Sequence, residues 1–224
     1  MDQIRKEALV KGLEVDEGEL ALINRHTQRE LGADEVFAYK LAACDNQVDR
    51  DLEAFSDRAL DQMAQMFPGR PVLLDHNWSA KDQVARIYAG STEDDPEKPG
   101  RKRLILRCYV PRLESTKDFI EQVDTGLRKE CSVGLSVKNA TCSICGQGYY
   151  DSCLHVKGQE YDGRLCYVVL DDVDDVYETS MVAVPAQREA GTVKSAGGKT
   201  GPDWAKGARM ELGLEEVRFG ALRR

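Results

Sequence analysis

The sequence predicts an α+β fold, because strand-like segments with alternating apolar residues are interleaved with two amphipathic helical segments. The expected strands cover residues 36–43, 71–76, 83–88, 103–110, 131–137, 165–170 and 177–184. The expected helices begin near Ser56 and Ser115, and each carries apolar residues at helical spacing. At 224 residues the chain is long enough for one domain with a proper core and some appended length.

The two predicted helices have recognisable starts. Ser56 is placed to cap a helix that a Pro-Gly pair ends at residues 68–69, and Ser115 with Asp118 resembles a capping box. Their apolar faces comprise Ala59, Leu60, Met63 and Phe67 in the first helix, and Phe119, Ile120, Val123 and Leu127 in the second. The acidic residues 171–175 separate the last two strands and are expected to form a solvated turn.

Composition sets the domain boundaries and excludes some partners. Residues 1–34 are expected to be a charged helical segment, residues 35–190 the main domain, and residues 191–224 a flexible tail. The formal net charge of −8 and the lack of a basic stripe make nucleic acid a poor partner. No apolar run approaches the roughly 20 residues that cross a bilayer, and no signal-peptide core follows Met1. A cytoplasmic protein without a membrane partner is therefore expected.

His76 is the strongest candidate for a general base, because it follows an apolar strand at the point where a loop begins. In the later strand, Ser132, Gly134 and Ser136 share a small polar face, opposite an apolar face. A nucleophilic serine needs such room, together with a base within hydrogen-bond reach. The two segments therefore suggest a serine hydrolase.

A third residue is needed to orient the imidazole and stabilise its charged form. Glu178 is the candidate, because a carboxylate in an otherwise apolar strand requires a partner. Asp172 and Asp175, in the predicted acidic turn, are alternatives for the same role.

The cysteines predict a metal site. Cys142, Cys145, Cys153 and His155 have the spacing Cys-x2-Cys-x7-Cys-x-His, and a glycine follows the first pair. Three thiolates and an imidazole form a closed, structural zinc site. Such an ion would hold together an insert at residues 141–163, and Cys166 is an alternative for one of the ligands.

Three blocks of the sequence resemble the phage prohead (capsid maturation) protease family. Residues 69–79 with 83–87 resemble its histidine block, and residues 131–135 its serine block. Residues 178–186 are similar to its closing block, in which an acidic residue precedes a strand that ends in Val-Pro-Ala. The resemblance covers residues 36–190, with the blocks in the family's order.

The resemblance implies a herpesvirus assemblin-like fold, a compact and mostly antiparallel β-barrel flanked by helices. It also implies a serine endopeptidase that cuts scaffold and capsid proteins inside the immature shell, in the cytoplasm of a bacterial host. By position, Ser132 would be the nucleophile, His76 the general base and Glu178 the third member, with Ser136 and Ser180 as rivals to Ser132. For the oxyanion, the candidates are a backbone N–H near Val133 or Gly134, or Arg86.

Two other functions remain open. One is a non-enzymatic phage assembly or scaffold-binding module that retains the protease fold and the structural zinc site, such as a decayed prophage copy. The other is an adaptor whose cysteine-rich loop is the working surface. The sequence leaves open whether the protein forms a homo-oligomer.

Overall fold

The computed structural model describes residues 12–193, which contain three α-helices and ten β-strands. The helices are α1 (Glu17–Asn24), α2 (Asp57–Met66) and α3 (Lys117–Asp124). The strands are β1 (Val36–Asp45), β2 (Glu53–Phe55), β3 (Pro71–Leu74), β4 (Ala85–Asp94), β5 (Lys102–Pro111), β6 (Cys131–Cys142), β7 (Glu160–Tyr161), β8 (Arg164–Leu165), β9 (Val168–Met181) and β10 (Gly191–Val193). The predicted α+β class is confirmed.

Eight of the strands form one mixed sheet. Its order is β10-β1-β5-β4-β3-β9-β2, and β6 pairs with β9. β2 and β3 run parallel to β9, whereas the other ladders of this sheet are antiparallel. The named ladders within residues 12–193 do not close into a barrel. β9 is the organising strand, since it contacts β6 along its length and both β2 and β3.

The acidic residues 171–175 lie inside β9, so the prediction of two strands separated by a turn is wrong. β6 runs alongside the whole segment, and two register shifts in this ladder accommodate extra residues of β9. The carboxylates also find partners. Asp171 accepts a 2.6 Å hydrogen bond from Ser56, and Asp172 pairs with Arg58 at 3.0 Å. Compensated charge and a continuous partner strand let the acidic segment remain extended.

The helices pack their apolar faces against the sheet. Ser56 caps α2 as predicted, its hydroxyl accepting from the Ala59 N–H at 3.0 Å, and Phe67 is fully buried at the far end. The predicted start of α3 is wrong. A short 3₁₀ helix, Glu114–Thr116, comes first, and Thr116 occupies the N-cap position in place of Ser115. Leu127 lies beyond α3 and is exposed.

The described parts of both predicted terminal segments pack against the main sheet. Within the described part of residues 1–34, α1 packs on the sheet through the fully buried Ile23. The predicted tail begins at Gly191, whereas Gly191–Val193 forms β10 against β1. The remainder of that tail and residues 1–11 lie outside the described residues. Among the helices of residues 12–193, none has the length and apolar character to cross a membrane.

Candidate functional site

A strained turn after β3 holds His76. The predicted strand ends two residues early, at Leu74, and both Asp75 and His76 have positive φ angles, of 52° and 54°. The Asn77 N–H donates to the Leu74 carbonyl at 2.9 Å, which closes a tight turn. The left-handed conformation costs about 1–2 kcal/mol per non-glycine residue. Strain of this kind persists only where surrounding contacts determine the backbone.

His76 forms a hydrogen bond with Glu178. The imidazole Nδ1 lies 2.8 Å from the Glu178 Oε1, with the histidine side chain 41% exposed and the glutamate side chain 2% exposed. Because a carboxylate accepts, Nδ1 carries the proton of the neutral ring and Nε2 is left with its lone pair. The buried carboxylate therefore fixes both the orientation and the tautomer of an imidazole that reaches solvent.

Ser180 holds Glu178 from the other side. Its hydroxyl donates to Glu178 Oε2 at 2.5 Å and accepts the backbone N–H of His76 at 3.1 Å. The residue is fully buried. A hydroxyl with both functions satisfied and no solvent access is unsuited to attack a substrate. Ser180, a rival nucleophile in the sequence analysis, is thus placed as a positioning residue.

Gly134 makes room for the carboxylate. It is the partner of Glu178 in the β6–β9 ladder, and a Cβ built on it would lie 2.3 Å from Glu178 Oε1. The Glu178 side chain therefore extends from β9 over the backbone of β6. Any larger residue at position 134 would push the carboxylate away from His76.

Ser132 lies on the same face of the sheet as this pair. It is the ladder partner of Ser180, and directly opposed residues of an antiparallel pair point to the same face. Its side chain is half-buried, and its carbonyl accepts a 2.8 Å hydrogen bond from the Thr179 hydroxyl. Within residues 12–193, no hydrogen bond joins Ser132 to His76. The fold thus brings His76, Glu178 and Ser132 to one face, without a hydrogen bond between base and hydroxyl among the described residues.

The other predicted site residues have different surroundings. Ser136 accepts from the Tyr177 hydroxyl at 2.9 Å, on the far side of the first register shift from Ser132. The two alternatives to Glu178 are both paired with arginines, Asp172 with Arg58 at 3.0 Å and Asp175 with Arg70 at 2.7 Å. Neither has a hydrogen bond to His76 among the described residues.

The sequence indicated two kinds of candidate oxyanion donor, the backbone N–H groups of β6 and the Arg86 guanidinium. Their hydrogen bonds in the structure show which of them have no partner among the described residues. The Cys131 N–H donates to the Ala190 carbonyl at 3.3 Å, away from β9, so alternation directs the Val133 N–H to the same side. Alternation directs the N–H of Gly134 the other way, toward β9, since the Glu130 carbonyl already accepts from the Val182 N–H on that side. The Arg86 guanidinium donates to the Gly69 carbonyl at 2.7 Å. Among residues 12–193, the Val133 N–H, one residue after Ser132, is therefore the donor without a partner that lies nearest the candidate nucleophile along the chain.

The cysteine insert contains a group that could hold a metal ion. One ligand atom from each of Cys142, Cys145, Cys153 and His155 lies within 4.8 Å of every other. The Sγ atoms of Cys145 and Cys153 are 3.7 Å apart, and Cys153 Sγ is 3.6 Å from His155 Nδ1. The predicted ligands therefore converge on one point.

The backbone around Cys142 favours its thiolate. Burial opposes ionisation, but N–H groups of Cys145 and Ile144 and the thiols of Cys153 and Cys166 outweigh it and lower the pKa of Cys142 to about 6. Gly146, with φ of 71°, lets the chain turn back after the first pair. Cys166, the alternative ligand, is fully buried, with its Sγ 3.8 Å from that of Cys142.

Sequence reasoning missed two features of this site. The left-handed backbone at Asp75 and His76 has only the Asp-His-Asn sequence as a signal, since these residue types tolerate positive φ better than most. The role of Ser180 could have been found from its position two residues after Glu178, on the same face of the strand. Comparisons with protein-family models, curated proteins and solved structures found no match.

Proposed function

We propose that the protein is a serine endopeptidase in which Ser132 is the nucleophile, His76 the general base and Glu178 the residue that orients it. The observation that carries the proposal is the 2.8 Å hydrogen bond between His76 Nδ1 and the buried carboxylate of Glu178. It leaves Nε2 as a base on the sheet face that Ser132 shares. This is the division of roles that a catalytic triad requires.

The reaction follows from these roles. Nε2 of His76 takes the Ser132 proton as Oγ attacks the peptide carbonyl, and Glu178 stabilises the imidazolium. The Val133 N–H, which points away from β9, would donate to the oxyanion. His76 then gives the proton to the leaving amine, and the acyl group stays on Ser132. A water molecule, deprotonated by His76, hydrolyses that ester and restores the hydroxyl.

The substrate class rests on the resemblance to prohead proteases. We infer that the substrates are scaffold and capsid proteins of an immature phage shell, processed in the cytoplasm of the bacterial host. The assemblin-like barrel belongs to this proposal. An isolated bridge between Glu130 and Gly191, with the Thr192 N–H donating to the Lys129 carbonyl at 2.8 Å, supports it by linking the start of β6 to β10.

We propose further that the metal is zinc in a structural role, bound by Cys142, Cys145, Cys153 and His155. A tetrahedral zinc ion with bonds of about 2.3 Å to sulfur and about 2.0 Å to nitrogen sets sulfur atoms about 3.8 Å apart and sulfur–nitrogen pairs about 3.5 Å apart. The 3.7 Å and 3.6 Å separations of the free ligands agree with these values. Four protein ligands leave no open position for catalysis.

One observation favours a non-enzymatic assembly module instead. His76 and Ser132 are not hydrogen-bonded to each other within residues 12–193, as they would be in a preformed nucleophile. Such bonds are often loose without substrate and tighten in the complex. The endopeptidase and the non-enzymatic module differ in whether the Ser132 hydroxyl acts as a nucleophile.

Labelling by a fluorophosphonate probe separates them. We expect a stoichiometric adduct on Ser132, mapped by peptide mass spectrometry, which S132A abolishes and H76A slows strongly. S136A is the matched control, because Ser136 lies on the same strand, and it should label normally. Co-expression with capsid and scaffold proteins then tests cleavage. Undiminished cleavage by S132A would reject the assignment, and absence of both adduct and cleavage would favour the non-enzymatic module.

A further inference from the structure

A groove lies along β6, and residues of β1, β2 and β9 also line it. Its cavity has a volume of about 600 Å³ and begins at Cys131 and Ser132. The floor is apolar and consists of Val133, Leu135 and Val137, on the face of β6 opposite to the Ser132 side chain, with Phe55 and Leu170. The opposite wall includes the segment at Ala186–Ala190 and the loop that precedes β2. The groove therefore starts at the proposed nucleophile and follows the strand that carries it.

The edge of β6 that faces this groove has no partner strand. At its two ends this edge is already bonded, since the Cys131 N–H donates to the Ala190 carbonyl at 3.3 Å and the Ala140 carbonyl accepts from the Tyr149 N–H at 2.7 Å. From Val133 to Asn139, β6 pairs only with β9 among residues 12–193. The Cys131 N–H points to Ala190, a residue that lines the groove, so alternating backbone groups further along β6 point to the same side. An exposed edge of this kind is a template for an extended peptide.

The far part of the groove is acidic. β2 pairs with residues 168–170 of β9, and these residues pair with residues 140–142 of β6. The loop before β2 therefore lies near the Ala140 end of the groove. Asp49, Asp51 and Asp151 line the groove and have no ion pair within residues 12–193. Glu53, which also lines it, pairs with Lys157 at 3.1 Å. Lys138 is directed to Asp174, at 3.7 Å. Uncompensated negative charge therefore lies several residues along β6 from Ser132.

We propose that this groove binds the substrate of the proposed peptidase as an extended strand beside β6 and selects a lysine or arginine several residues from the scissile bond. The proposal rests on the proposed function for the position of the scissile bond. The apolar floor accommodates the alternate side chains, the free edge supplies main-chain hydrogen bonds, and the unpaired aspartates complement the basic side chain.

Binding is measured separately from cleavage. Fluorescein-labelled decapeptides carry one lysine, placed at a different position in each peptide, and the control for each peptide has norleucine at that position. The S132A full-length protein is titrated into each peptide, and binding is measured by fluorescence anisotropy. We expect tighter binding for lysine at one or two adjacent positions, weakening as salt is raised. D51N and D151N should each reduce that preference by up to about fivefold, the range for exposed ion pairs. E93Q, an equal charge change on an exposed residue outside the groove, should leave it unchanged.

The outcomes distinguish the two proposals. A lysine preference that D51N and D151N each reduce supports the groove even if the wild-type protein neither reacts with fluorophosphonate nor cleaves. Absence of both reactions would reject the peptidase alone. Cleavage by the wild-type protein with no preference for basic residues would overturn the groove and leave the peptidase standing. Cross-links between Asp51 or Asp151 and the protein's own residues 194–224 would overturn the groove as a substrate site, since the tail would then be its occupant.

Discussion

Replacement of Gly134 by alanine perturbs the site without touching Ser132, His76 or Glu178. The new methyl carbon would lie 2.3 Å from Glu178 Oε1 and 3.1 Å from Cδ. Ordinary van der Waals separation requires the carboxylate to retreat by about 1 Å. Because Oε1 bonds to His76 Nδ1 at 2.8 Å, this shift stretches the bond to about 3.5 Å or more, where it is no longer a hydrogen bond.

The expected loss is about 100-fold in kcat, equivalent to about 2.7 kcal/mol, since a displacement of about 1 Å in a positioned group has this effect. KM should change little, because Gly134 does not line the groove. The assay is the rate of fluorophosphonate adduct formation on Ser132, followed by intact mass, together with steady-state cleavage of a peptide substrate.

A double-mutant cycle isolates the mechanism. In the E178A background there is no carboxylate to displace, so G134A should have little further effect on the rate. Circular dichroism melts of the four proteins check that the fold is retained. Undiminished labelling by G134A, or the same loss in both backgrounds, would refute the role given to Glu178.

Three further predictions concern the metal and the charged network. H155A should lower the zinc content, measured by elemental analysis, well below one ion per chain, whereas C166S should keep one ion per chain. The reverse result would make Cys166 the fourth ligand. R101M should destabilise the fold by about 3–5 kcal/mol in chemical denaturation, because it leaves the buried Asp45 without its ion-pair partner. Asp95, also buried, would keep only Arg103, at 3.9 Å, as an ion-pair partner among residues 12–193. K102M, which removes only the more exposed pair with Asp61, should cost at most about 1 kcal/mol. Lys98 and Arg101 lower the pKa of Glu189 from 4.5 to about 2, so its contribution to stability is present above pH 4.5 and is lost as the pH falls toward 2. E189Q should therefore flatten the stability profile in that window, and an unchanged slope would contradict the pairing.

Sequence patterns predicted correctly those elements that are stabilised by contacts between residues close together in the chain. The Ser56 cap and the buried face of α2 required only a hydroxyl and a 3.6-residue period. β9 was mispredicted because a run of aspartates indicates a turn when charge repulsion is considered alone. Its extended structure depends on Arg58, Arg70 and a full-length partner strand, which lie far away in the sequence. The parallel pairing of β2 and β3 with β9 likewise has no local signal.

The sequence identified the residues of the candidate site but not how these residues contact one another. Alternation placed Ser132 and Gly134 on one face of β6, and the unusual carboxylate in an apolar strand singled out Glu178. Periodicity could not show that Glu178 crosses over Gly134, because that depends on the register between β6 and β9. A one-residue slip in that register would turn the whole face of β6 to the core.

The Ser180 hydroxyl stabilises both the strained backbone at His76 and the buried carboxylate of Glu178. The left-handed turn is held by the Asp75 N–H bond to the Met181 carbonyl at 3.0 Å and by the His76 N–H bond to Ser180. The same Ser180 hydroxyl donates to Glu178, which within residues 12–193 would otherwise keep the imidazole as its one hydrogen-bond partner. Loss of that hydroxyl would therefore release the turn and weaken the hold on the carboxylate together, although Ser180 meets no substrate. The position of the imidazole is thus a property of β9 and its neighbours, not of the loop in which His76 lies.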